Sequence, residues 1–374
     1  MIRPLFHQTI PVLAGLTVFA GIATAQDIGA PTGYLSFGAA YSERYGETIF
    51  ASLVEEDFLN TGVGVDAAAE YSRSGYRISA NLDTDIALSI PGLAVDPFLD
   101  VSVYLDDHSW QESAYDSKRI GFDADLIFPV RQGVYLSAGY FYYDNSISNV
   151  NANTSPLVTA EQQVTSGAKL GLHYETLDTP VRPSNGVSLG LTAQYAGIGG
   201  DANWNSLTAH GSVYQPLPMN GVGSISFVAG QIRTLNDEPI SISERAFLGY
   251  DLPRGFAFGG IGPRDNDGGS VDTALGGETY VAASVESDFP MVETNSGAVY
   301  GGVFWDGGSV WDLHGTPVGA SGAIDDSMYW RASYGVSVTW ISGFGQVQLS
   351  WAEPYLSQPD DITQPLSVSF STAF

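Results

Sequence analysis

The chain has 374 residues, with 41 Asp and Glu against 14 Lys and Arg, for a net charge of −27. That balance lacks the basic footprint a nucleic-acid binder needs, and the absence of Cys removes disulfide frameworks and thiolate metal sites. A hydrophobic share of 44% excludes a disordered chain, while 44 Gly, 20 Tyr and 18 Phe beside so few charges are unusual for a soluble enzyme.

Arg3 gives the N-terminus a positive charge, an apolar stretch runs from Ile10 to Ile22, and Ala23-Thr24-Ala25 is a small-x-small pattern. Residues 1–25 therefore read as a cleaved secretory signal peptide, with an apolar stretch too short for a membrane span. A short segment, residues 26–33, follows, and residues 34–374 read as one domain with no internal linker.

What recurs after that is alternation. In TYVAASVESDF, Val281, Ala283, Val285 and Phe289 share one face, and Tyr280, Ser284, Glu286 and Asp288 share the other. In WRASYGVSVTW, Tyr334, Val336, Val338 and Trp340 oppose Ser333, Ser337 and Thr339. Period two with one apolar and one polar face is the signature of a strand. Sixteen such segments are expected, centred near Phe37, Ala51, Asp66, Ser79, Val103, Asp123, Ala138, Gly171, Leu191, Thr208, Phe227, Ala283, Val303, Val336, Leu349 and Phe370.

A soluble sandwich would bury the apolar faces against a second sheet, whereas a membrane barrel would turn them to lipid around a polar lumen. Three features favour the barrel. The signal peptide exports the chain. Aromatics crowd expected strand ends, as in GYFYYDN (139–145) and VFWDGGSVWD (303–312), where an interfacial girdle would hold them. The last segment places Leu366, Val368, Phe370, Thr372 and Phe374 on one face. Connections alternate between tight turns such as 129–133, 216–221 and 341–345 and long loops at 145–163 and 235–274, as the two rims of an outer-membrane barrel would. The fold class expected is all-β, a 16-stranded antiparallel transmembrane barrel.

No catalytic constellation emerges. His7, His108, His173, His210 and His314 have no metal-ligand spacing, and neither a nucleophile elbow nor a phosphate loop is present. The run Asp265-Asn266-Asp267-Gly268-Gly269 fails as a calcium loop, because Ser270 stands where glycine is needed and no glutamate closes it. It reads as a solvated acidic loop, and the pairs Asp106-Asp107 and Glu55-Glu56 read as strand ends facing water. No metal, cofactor or enzyme activity is expected.

One cation stands out. In GYDLPRGFAFGGIGPRDNDG (249–268), Arg254 and Phe256 bracket Gly255 within a stretch whose glycines and prolines mark a loop. Glu286 lies on the polar face of its strand, and Asp306 shares parity with Tyr300, Gly302 and Phe304. If the apolar face meets lipid, both acids point into the lumen from adjacent strands. A loop folded inward would then bring Arg254 between them, with charge-assisted, bidentate hydrogen bonds. An exposed arginine on an outer loop is the competing reading.

These segments, in order, resemble the barrel domain of the BamA/TamA family, outer-membrane proteins that assemble or secrete other proteins. EEDFLNTGVGV (55–65) resembles the family's early hairpin, RPSNG (182–186) its Pro-x-x-Gly turn, and PRGF (253–256) its inward-folded loop motif, followed by GPRD (262–265). LGGETYVAASVE (275–286) and GVFWDGGSVWD (302–312) resemble the two strands that receive the arginine, with WAEP (351–354) and the terminal aromatic completing the series. The resemblance implies a loop latch of Pro253, Arg254, Gly255 and Phe256 held by Glu286, Phe304, Asp306 and Gly308, and a C-terminal signal at Phe370 and Phe374. Pro253 stands where the family usually has valine. The family's periplasmic POTRA domains have no counterpart in residues 26–33, so a barrel without them is expected, with a periplasmic partner in their place.

The implied function is assistance in inserting or translocating outer-membrane or surface polypeptides, through a seam between Tyr34–Ser42 and Leu366–Phe374 that offers its edges to a client strand. The other reading is a passive channel or structural barrel. The location expected is the bacterial outer membrane, with outer-membrane lipid and client polypeptides as partners and no nucleic acid. A barrel whose backbone bonds are satisfied internally resists detergent at room temperature. The protein should therefore migrate faster on a gel unboiled than boiled, and recovery of most of it in a soluble fraction would count against a membrane barrel.

Overall fold

A computed structural model describes residues 33–42, 46–55, 57–84, 96–110, 114–179, 182–294, 297–342 and 345–371. The signal-peptide segment, residues 26–32 and Phe374 lie outside the described residues. The chain forms β1 (Gly33–Ser42), β2 (Gly46–Glu55), β3 (Val63–Ser72), β4 (Gly75–Thr84), β5 (Phe98–Trp110), β6 (Tyr115–Arg131) and β7 (Val134–Ser148). Then come β8 (Glu161–Glu175), β9 (Gly186–Ala196), β10 (Trp204–Leu217) and β11 (Gly221–Thr234). Three short strands sit in the long loop: β12 (Gly255–Phe256), β13 (Arg264–Asn266) and β14 (Asp272–Ala274). The series ends with β15 (Thr279–Thr294), β16 (Gly297–Trp311), β17 (Arg331–Ser342), β18 (Gly345–Leu356), β19 (Thr363–Gln364) and β20 (Leu366–Ser371).

Sixteen of these strands join in one sheet in chain order, β1 through β11, then β15, β16, β17, β18 and β20, each antiparallel to its neighbour. Each segment expected from alternation lies in one strand of this sheet. The sheet curls until β1 and β20 come within 8 Å of each other between Cα atoms. No ladder joins those two among the described residues.

Burial inverts the pattern of a soluble sheet. In β17 the apolar side chain of Val336 is 52% exposed, while Ser337 beside it is 3% exposed. Val285, Val303, Leu349 and Trp351 are likewise exposed, and Ser333, Thr339 and Ser350 are buried. A sandwich would hide the apolar row, because each buried CH₂ group contributes about 0.8 kcal/mol. Here the polar row is hidden instead.

The cover over that polar face comes mainly from residues 235–278. A short 3-10 turn, Ile242–Glu244, lies against the wall, where Arg119 bonds Glu244 at 2.7 Å, the Tyr143 hydroxyl donates to Glu244 at 2.7 Å, and Asn145 donates to Ser243 at 2.7 Å. Apolar contacts fill the spaces between loop and wall. Phe141, Tyr143, Trp204, Ile232 and Ile240 form one cluster, and Tyr115, Ile147, Val158, Ile242, Leu275 and Leu313 form another.

Three expectations are corrected here. Phe141 and Tyr143 are not girdle aromatics: alternation turns Tyr140 and Tyr142 outward and these two into the covered interior, where Phe141 stacks on Trp204 at 5.9 Å. Asp106 is not a solvated strand end, since it bonds Arg77 of β4 and His108. Asp265 is fully buried rather than solvated, because the β13–β14 hairpin turns it inward opposite Thr273 and leaves Asn266 and Asp267 outside. Its carboxylate accepts from Ser155 Oγ of the β7–β8 loop at 2.5 Å and from Ala320 N of the β16–β17 loop at 2.9 Å. Gly319 permits that approach, since a Cβ there would come within 2.4 Å of the carboxylate.

The β8–β9 turn holds Asp178, whose carboxylate accepts from Ser184 Oγ at 2.5 Å and from the amides of Ser184, Thr179 and Asn185. Those bonds, the Ser184 hydroxyl foremost, lower its pKa from the ordinary 3.8 to about 2. A depressed value means that the carboxylate's contribution is fully present above the ordinary value and fades as pH falls toward about 2. Asp178→Asn should raise hydrogen exchange across 182–186 at neutral pH severalfold while leaving β8 and β9 unchanged. Unaltered exchange there would show that the turn does not depend on the charge.

Candidate functional site

The long loop is punctuated by glycines where its backbone needs them. Gly249 and Gly255 have φ of +107° and +94°, conformations that side-chain-bearing residues rarely adopt. Gly255 also sits where a Cβ would come within 3.1 Å of Ala352. The turn between them presents Pro253, after a cis peptide bond, and Arg254 to the polar faces of β15 and β16.

Arg254 makes a two-pronged contact with Asp306. Nε donates to Oδ2 at 2.7 Å and Nη2 donates to Oδ1 at 3.0 Å, and the Arg254 amide adds a third bond to Oδ2 at 3.1 Å. Nη1 lies 3.2 Å from Oε2 of Glu286. The guanidinium carbon stands 3.4 Å from the centroid of the Phe304 ring, so the cation also rests on an aromatic face. Asp306 has no exposed surface and Arg254 has little. Burial works against the charge on Arg254, but the hydrogen bonds and charges of Asp306 and Glu286 outweigh it and raise the guanidinium pKa. The arginine therefore stays ionised, opposite two carboxylates.

Serines complete the set. Ser284 Oγ donates to Asp306 Oδ1 at 2.6 Å, and Ser333 Oγ of β17 donates to the carbonyl of Arg254 at 2.5 Å. Glu286 accepts from Ser337 Oγ at 3.1 Å and from Gln348 Nε2 of β18 at 3.3 Å. Four adjacent wall strands thus contribute to holding one loop arginine and its acids. Gly335 faces Phe304 across the β16–β17 ladder, and a Cβ there would come within 2.5 Å of the ring. The ring can lie over the strand only because that position is bare.

The residues singled out from sequence meet at this place. Pro253 is fully buried and packs over Gly308, where a Cβ would lie 3.3 Å from the proline ring. Phe256 has no exposure and packs with Leu248, Ile261, Ala282 and Val310. Its backbone pairs with Thr363 in the β12–β19 ladder, which ties the loop to the segment before the last strand. Phe370 lies opposite Val347 in the β18–β20 ladder. Sequence reasoning placed Ser284, Ser333, Ser337 and Gln348 on the polar face but gave them no role, and it missed Gly335; one glycine among 44 carries no signal of its own.

Beneath the arginine lies a polar cavity of about 230 Å³, lined by Ser226, Tyr250, Ser284, Glu286, Gln348 and Ser367 among others. Among the described residues no group of three or more His, Asp or Glu side chains is arranged to hold a metal. The arrangement is chemically a clamp, in which charge, fork geometry and ring contact fix a loop to a wall.

Removing one partner of a buried ion pair leaves the other uncompensated, at a cost of about 3 kcal/mol or more. Arg254→Ala should lower unfolding stability by that order, and Arg254→Lys should restore part of it, since Lys lacks the planar fork. A double-mutant cycle between Arg254 and Asp306 measures the coupling directly. Coupling near zero would mean that the contact contributes nothing to holding the loop.

A family model described as the Omp85 superfamily domain matches residues 32–374. The chain is 28% identical over 174 residues to the SAM50-like protein CG7639 of Drosophila melanogaster, a stretch covering 45% of this chain and 39% of that protein. It is 26% identical over 219 residues to the outer membrane protein assembly factor BamA of Neisseria meningitidis serogroup B, covering 53% and 27% respectively. The matched region thus spans less than half the length of either relative. Among solved structures, BamA from Haemophilus ducreyi lacking POTRA domains 1-3 superposes with a TM-score of 0.72 at 18% identity, over 96% of this chain and 76% of that one. The likeness is one of fold: an all-β, antiparallel barrel.

Proposed function

The chain belongs to the Omp85 superfamily, and we propose that it is an outer-membrane barrel that assists insertion or translocation of outer-membrane or surface polypeptides through a seam between β1 and β20. The observation that carries this reading is the sheet's ladder order. It begins at β1 and ends at β20, and these strands approach without a ladder between them among the described residues. A strand with a free side offers unpaired N–H and C=O groups, and an extended client segment satisfies them by adding to the sheet. The exposed apolar rows support a lipid-facing exterior, and the relative named as an outer membrane protein assembly factor supports the client class.

In this reading the wall closes into a sixteen-stranded transmembrane barrel of the bacterial outer membrane, and residues 235–278 fold into its lumen. Arg254, Asp306 and Glu286 act as a latch, holding the loop against β15 and β16 while β1 and β20 separate. Pro253, Gly255, Phe256, Phe304 and Gly308 shape the seat. Phe370 and Phe374 act as the C-terminal signal read during delivery to the membrane. The partners are outer-membrane lipid and client chains in extended form.

The chain has no cysteine, so introduced pairs report cleanly. Disulfides formed between cysteines placed in β1 and in β20 should abolish assembly of a client barrel into liposomes and restore it on reduction. Assembly that proceeds equally with the seam locked would overturn the seam. Ion conductance without any assembly would favour a passive channel.

A further inference from the structure

The last strand offers backbone groups to two sides, and its hydrogen bonds and register fix which group points where. Ala352 N donates to the carbonyl of Pro365 at 2.8 Å, so residue 365 faces β18. The register continues unbroken through Trp351 opposite Leu366, Ser350 opposite Ser367 and Leu349 opposite Val368. In an antiparallel ladder successive residues alternate between facing the partner and facing away. Ser367 therefore shares the direction of Pro365, and the carbonyl of Val368 points away from β18. That is the side which β1 approaches.

This outward carbonyl is occupied. The Tyr250 hydroxyl donates to Val368 O at 2.6 Å. Tyr250 is 6% exposed and has φ of +67°, a backbone region that bulky residues occupy only where their surroundings hold them there. The surroundings are the loop turn itself: the Tyr250 amide donates to Phe256 O at 2.6 Å, and the Gly249 amide donates to Leu252 O at 3.2 Å. Tyr250 is thus set by the same turn that carries Arg254. The loop also runs beside the approach to the last strand, with Ala257 N donating to Ile362 O and Ile362 N donating to Gly260 O, each at 2.9 Å.

We propose that Tyr250 caps the free edge of the last strand, its hydroxyl occupying a backbone acceptor that a strand pairing there would need. The occupant of the uncapped edge is an extended polypeptide backbone, which supplies an N–H to the Val368 carbonyl. The cap links two places: a shift of the arginine-bearing turn withdraws Tyr250 and frees the acceptor, and pairing of a strand through Val368 displaces Tyr250. The structural cap stands on the hydrogen bond alone. Its role in admitting a client rests on the seam reading above.

Tyr250→Phe keeps the ring and removes only the donor, and an unchanged heat-modifiable gel shift would show that the barrel still folds. In the full chain in detergent micelles, deuterium exchange of residues 362–371 should quicken about fivefold, the loss of one ordinary hydrogen bond. Residues 221–234 and 300–311 should keep their wild-type rates. No change in 362–371, or an equal rise in all three segments, would overturn the cap. A photo-crosslinkable peptide copying residues 366–374 then probes the edge and should label Tyr250→Phe about fivefold more than the parent. Faster exchange with unchanged labelling would leave the cap standing and overturn the seam reading.

Discussion

One ion pair sets the terms for the rest of the molecule. Arg254 lies 2.7 Å from a carboxylate with no exposed surface, and neither charge could be buried without the other. The fork on Asp306, the contact with Glu286 and the ring of Phe304 satisfy the guanidinium on several sides at once. Because the arginine belongs to the loop and its partners belong to the wall, satisfying the charge fixes where the loop lies. The glycines on both sides follow from that placement. Gly255 brings the loop backbone against β18, and Gly335 clears the strand under the Phe304 ring.

The excess of acid over base acquires a location. Several of the scarce cations sit on the covered face with carboxylates around them: Arg254 with Asp306 and Glu286, Lys169 with Asp123 and Asp125, Arg119 with Glu244. The outer rows are left to Val, Leu, Tyr and Trp. Much of the charge of an acidic sequence is thus drawn away from the apolar rows, onto the opposite side of the sheet and into the loops.

The strands were legible from period-two alternation because a sheet with one polar and one apolar face leaves that mark on every residue. Arg254 was legible for a different reason: an arginine beside Gly255 and Phe256 is conspicuous in a chain short of cations, and PRGF (253–256) resembles a family's inward-folded loop motif. Other features left no such mark. Asp265 sits in a run of acids and glycines that reads as solvated, and only the pairing of β13 with β14 turns it inward. Phe141 and Tyr143 look like the aromatics beside them, and which of two alternating rows is covered depends on where a distant loop folds. Ser284 and Ser333 were placed on the right face, but a serine hydroxyl acquires a role only when its acceptor arrives from elsewhere in the chain.

The buried carboxylate of Asp265 has a consequence for how the molecule is met from outside. It draws Ser155 and Ala320, which lie 110 and 55 residues away in sequence, onto one point of the long loop. The three connections therefore present a discontinuous surface whose pieces keep fixed positions relative to one another. A macromolecule that binds across that surface contacts residues from all three connections together. A linear peptide copied from any single loop lacks the neighbours that define the surface, and binders selected on such a peptide are selected for a shape the intact protein does not display.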